Sequence, residues 1–82
     1  MIPIPWLTDK QRSLLAWLAI QTVVSQTGWT EQDVADALDD LAGRGEIHLR
    51  GDDTNVYLLV AGEPLVHSTR GWLAGHVNPS AN

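Results

Sequence analysis

Gly28-Trp29-Thr30-Glu31-Gln32-Asp33-Val34-Ala35-Asp36-Ala37-Leu38-Asp39-Asp40-Leu41-Ala42-Gly43-Arg44-Gly45-Glu46-Ile47 is the most strongly patterned stretch of this 82-residue chain. Thr30 reads as a helix cap, with Asp33 in the capping-box position and Trp29 and Val34 spaced for a hydrophobic staple. Val34, Leu38 and Leu41 form one apolar stripe, supported by Ala35, Ala37 and Ala42. Gly43 ends the helix and Gly45 reopens the chain.

Downstream, residues 46–50 alternate polar with apolar, residues 51–55 form a turn, and residues 56–61 return as a second strand. Val56, Leu58 and Val60 share one face of that strand, Tyr57 and Leu59 the other. Pro64 reads as its stop. Upstream, Thr8 and Gln11 form a capping box that opens a helix through Leu14, Leu15, Trp17, Leu18 and Ile20. Thr22, Val23 and Val24 are β-branched and weak helix formers, so residues 21–27 read as a separate short helix. A single helix over 8–26 is the runner-up, because no Gly or Pro marks a break. Three segments result: an extended arm over 1–7, where Pro3 and Pro5 fix the backbone, a domain over 8–61, and a partly flexible extension over 62–82. In the extension, Leu65-Val66 reads as a short strand, Trp72-Leu73 as an anchor that packs back, and residues 78–82 as frayed. Trp17 and Trp29 read as core or staple residues.

The chain is acidic, with net charge −5 and no cysteine. Disulfides and thiolate metal sites are therefore excluded. His48, His67 and His76 lack zinc-ligand spacing, no phosphate-cradling glycine loop is present, and no nucleophile sits in a catalytic context. The expectation is a non-enzyme with no cofactor and no metal. The longest strongly apolar run, residues 14–20, falls short of the roughly 20 residues of a membrane span. No targeting segment is visible, so the expected location is the cytoplasm.

Helix, short helix, glycine turn, capped helix and hairpin follow the order of a winged helix-turn-helix domain, which the chain resembles. The likeness rests on Val23-Val24, Gly28-Trp29-Thr30, Val34-Ala35, Leu38, Leu41 and Gly43-Arg44-Gly45-Glu46-Ile47. It implies an α+β fold, three helices followed by a β-hairpin wing, in the style of a small bacterial or phage accessory protein. In the family's DNA binders the third helix enters the major groove. Carried over, the groove-facing positions are Glu31, Gln32, Asp33, Asp36, Asp39 and Asp40.

Charge argues against that use of the helix. Residues 30–53 hold eight acids and two bases, a net of −6, whereas DNA affinity rests on cations that displace counterions. Asp39 and Asp40 sit where the helix dipole opposes them, and Asp36 and Asp40 are a like-charge pair one turn apart. The resulting expectation is a winged-helix protein-interaction module whose acidic third helix docks a basic regulatory or host protein. Asp36, Asp39, Asp40 and Glu31 would carry the docking, with Trp6 and Trp72 as aromatic anchors. The alternative is a dimeric DNA-binding transcription regulator that grips phosphate with Lys10, Arg12, Arg44, Arg50 and Arg70. A third reading is a homodimer joined through the arm and tail tryptophans.

Overall fold

A computed structural model describes residues 6–77; most of the arm and the terminal residues 78–82 lie outside them. The elements run α1 (Asp9–Thr27), α2 (Glu31–Gly43), β1 (Ile47–Gly51), β2 (Asn55–Val60), β3 (Glu63–Thr69) and α3 (Arg70–Val77). The strands form one antiparallel sheet in the order β1-β2-β3. This corrects the expected fold class: two helices, not three, precede the strands, and the hairpin grows into a three-stranded sheet closed by a last helix.

The first correction has a local cause. α1 opens on the capping box, with the Gln11 amide donating to Thr8 Oγ1 at 3.1 Å and the Thr8 amide donating to Gln11 Oε1 at 2.8 Å. It then continues through Thr22-Val23-Val24 without a break. Low helix propensity costs at most about 0.7 kcal/mol per ordinary residue, and the Thr22 hydroxyl bonds back to the Leu18 carbonyl at 2.7 Å. Packing outweighs that cost, because α1 touches α2, α3, β2 and β3. Gly28 stops the helix in a left-handed conformation, φ 77°, its amide donating to the Val24 carbonyl at 2.9 Å. Only Gly adopts that conformation without steric cost.

The second correction concerns Pro64. It does not end the sheet but sits inside β3, paired with Leu59 beside a register shift at Leu58/Leu59. β3 is an edge strand, where a missing amide is tolerated. Ala61 and Gly62 form the two-residue turn before it, with φ 52° and 84°, the backbone twist that a tight hairpin requires. α3 follows directly, its Trp72 amide donating to Thr69 Oγ1 at 3.2 Å.

The core joins Leu15 and Ala19 of α1 to Val56 and Leu58 of β2, Val66 of β3, Leu73 of α3 and Leu7. Leu15, Ala19, Val56 and Leu73 are fully enclosed. Trp17, expected in the core, is 52% exposed, since the buried stripe Gln11, Leu15, Ala19 leaves it on another side of α1. Trp29 stays 55% exposed beside Val34, so the expected staple covers only part of its ring.

Truncating a buried leucine removes transfer energy and leaves a cavity. Leu15→Ala is expected to cost about 2–5 kcal/mol, a large share of a small domain's stability. Urea unfolding measures this, and a loss below about 1 kcal/mol would contradict the assigned packing.

Candidate functional site

Because the helices take one face of the sheet, alternation along each strand sends the remaining side chains to the other face. Val56, Leu58, Val66 and Ser68 point inward and are buried. The cross-strand register lines up Arg50, Tyr57 and His67 on the outer face, one residue from each strand. His48 pairs with Leu59 and Asn55 with Thr69 on that same face.

This row is organised. The rings of Tyr57 and His67 stack at 4.7 Å between centroids, 13° from parallel. His67 Nε2–H donates to Asn55 Oδ1 at 3.1 Å. The bond orients the imidazole and leaves Nδ1 as the ring nitrogen not engaged by Asn55. Arg50 stands beside Tyr57 across the β1–β2 ladder. His67 also borders an open cleft of about 470 Å³ along the β3 edge, lined by Leu18, Thr22, Thr69 and Trp72. An oriented imidazole, a phenol and a guanidinium on one surface can bind an anionic group and exchange a proton with it.

The β1–β2 turn anchors one end of this face. Asp52 Oδ1 accepts from the amides of Thr54 at 2.7 Å and Asn55 at 2.8 Å. These bonds, chiefly that from Asn55, hold the Asp52 carboxyl below its ordinary pKa, and positive charge on His67 adds to the effect. Trp6 Nε1–H donates to the Asp52 carbonyl at 3.3 Å, and the Arg70 guanidinium lies 5.0 Å from the Trp6 ring centroid. The Arg70 amide donates to the Thr54 carbonyl at 2.9 Å. Trp6 and Arg70, read from sequence as partner-binding residues, thus clamp a turn within the chain. Trp72 stacks on His76 at 3.8 Å and is 36% exposed.

Three of the five α2 carboxylates have local side-chain partners. Glu31 Oε1 accepts from Gln21 Nε2 at 3.0 Å, Asp36 Oδ1 from Gln32 Nε2 at 2.9 Å, and Asp40 pairs with Arg44 at 2.8 Å. Asp39 is exposed. Lys10 and Arg12 lie exposed in the first turn of α1 and Arg44 caps α2, while Arg50 stands on the outer sheet face. Sequence reasoning missed Tyr57, Asn55 and His67. The alternation of β2 signalled Tyr57, but without β3 as a full strand His67 had no neighbour. Among the described residues no helix is long and apolar enough to cross a membrane.

No family model and no curated protein matches this sequence. Among solved structures, the chain is similar to a bacterial toxin from Mycobacterium tuberculosis. The two are 44% identical with a TM-score of 0.84, over 88% of this chain and 97% of the other. The chain belongs to the family of that toxin. This membership overturns both earlier functional expectations, the winged-helix module that docks a basic protein through its acidic helix and the winged-helix transcription regulator. The element order explains the misreading: this chain has the capped helix leading into a hairpin on which the winged-helix likeness rested, and departs from the expected order at α1, β3 and α3.

Asp52 has a depressed carboxyl pKa, so its contribution to stability is present above the ordinary value near 4 and lost as pH falls through the lowered one. Asp52→Asn should therefore be less stable than the native chain at neutral pH, with the gap narrowing below about pH 4. Urea midpoints across a pH series measure this; a gap that does not change with pH would refute the assignment.

Proposed function

We propose that the chain is a bacterial toxin that acts in the bacterial cytoplasm through the outer face of its sheet. The observation that carries this reading is the 44% identity to the mycobacterial toxin, spread over nearly the whole of that protein. Identity at that level over a shared fold extends beyond architecture, which alone would not imply function.

The face supplies the chemistry. Asn55 orients His67 and leaves its Nδ1 unengaged. Tyr57 offers a ring surface and a hydroxyl beside it. Arg50 brings a guanidinium suited to an anionic group on the target. In this reading Asp52, Trp6 and Arg70 keep the rim of the face in shape and do not touch the target.

Induced expression in a bacterial host tests the toxin assignment. The native chain should halt growth and sharply reduce colony counts on induction. The Leu15→Asp chain, whose core charge prevents folding, should leave growth normal. Normal growth despite soluble, folded native chain would remove the toxin reading.

A further inference from the structure

β3 is an edge of the sheet, since the strand order is β1-β2-β3. An edge strand presents main-chain donors and acceptors that no neighbouring strand has taken. The register identifies them. The Ala61 amide donates to the Glu46 carbonyl and the Asp52 amide to the Asn55 carbonyl, so the odd-numbered residues of β2 turn their main chain toward β1. Val56 and Leu58 turn theirs toward β3, where they pair with Ser68 and Val66. The Arg70 amide, bonded to the Thr54 carbonyl, continues the same set. The amides of His67 and Thr69 and the His67 carbonyl therefore face away from β2, and they have no other partner among the described residues.

The open cleft of about 470 Å³ follows this edge, lined by every residue from Leu65 to Thr69. Successive residues of a strand point to opposite faces, so a cleft that touches all of them runs along the main-chain edge and not over a face. Leu18 and Thr22 of α1 and Trp72 of α3 form its other wall.

A drug-sized ligand buries most of its surface in its pocket, which an open trough does not provide. Unpaired amides and a carbonyl at strand spacing are met by an extended main chain. A second copy of this chain is poorly shaped to supply one. Pairing β3 with the β3 of a copy brings a second wall of α1 and Trp72 onto the same side of the sheet, against the first. Pairing β3 with the β1 of a copy does not close and builds an open string of copies. A strand without a helical layer of its own meets neither obstacle.

We infer that the β3 edge binds an extended segment of another protein as a fourth strand. The main chain of that segment bonds to His67 and Thr69. Its inward side chains, every second residue, are apolar because they lie against Leu18 and Trp72. The inference concerns binding at the edge alone and stands independently of the toxin reading.

Selection from a phage-displayed library of random short peptides on the immobilised full chain supplies the probe, the most enriched peptide made synthetically. Its binding is compared on the native chain, His67→Ala and His67→Pro. Proline at 67 removes an amide that faces the open edge and leaves the bonds to β2 in place, as a melting curve verifies. Alanine removes the imidazole and keeps the amide. The peptide should bind His67→Ala nearly as tightly as the native chain and His67→Pro at least about tenfold more weakly. N-methylation of alternate peptide residues should abolish binding in one register and spare it in the other. On the native chain, hydrogen exchange at the His67 and Thr69 amides should slow when the peptide is bound. No enriched peptide, equal binding to His67→Pro, insensitivity to N-methylation or unprotected amides would each overturn the proposal. So would a native chain that sediments as a dimer which His67→Pro disrupts, since a second copy would then hold the edge. None of these outcomes bears on growth arrest, so the two readings fail separately.

Discussion

Leu15 and Ala19, one turn apart on α1, are fully enclosed, and every other part of the fold is arranged around them. The helix that carries them packs on α2, on α3 and on two strands. A domain this small buries a modest share of its surface, so one continuous central helix is the most economical core. Its length depends on Thr22-Val23-Val24 staying helical. A break there would cut Val23 away from α2 and open the interior.

The same arrangement decides which side chains share the open face of the sheet. Helices on one side of a three-stranded sheet leave the other side uncovered, and period-two alternation fills it with the residues the core rejects. Arg50, Tyr57 and His67 come from three strands and meet only because the register aligns them. The stacked rings and the bond from His67 to Asn55 give that face its order. α2 contributes to a different surface, where Val34, Ala37, Leu38 and Leu41 line an apolar cleft with Trp29 and Val60.

The parts of the fold governed by local chemistry were legible in the sequence. Thr8 with Gln11 and Thr30 with Asp33 mark helix starts through side-chain to backbone bonds a few residues apart, and both caps form. The strands expected over 46–50 and 56–61 form as Ile47–Gly51 and Asn55–Val60, with Gly51 and Asn55 taken from the expected turn into the strands. The rest turned on long-range packing. β-branched residues argued for a break in α1, yet their small propensity cost yields to tertiary contact. Pro64 argued for a stop, yet an edge strand tolerates it. α3 contains Gly71 and Gly75, which weaken any helical reading; the burial of Leu73 and the Thr69 cap hold it in place. The site stayed hidden for the same reason. Once β3 was read as ending at Val66, nothing brought His67 to Tyr57.

Toxicity of a chain altered only on the outer face tests the account most directly. Arg50→Ala, Tyr57→Ala and His67→Ala combined should leave the core intact, so folded protein accumulates to the native level. With growth followed after induction, the account predicts that cells making this variant keep dividing while cells making the native chain stop. Equal arrest by both chains, at equal folded amounts, would show that the sheet face is not the surface through which this protein acts.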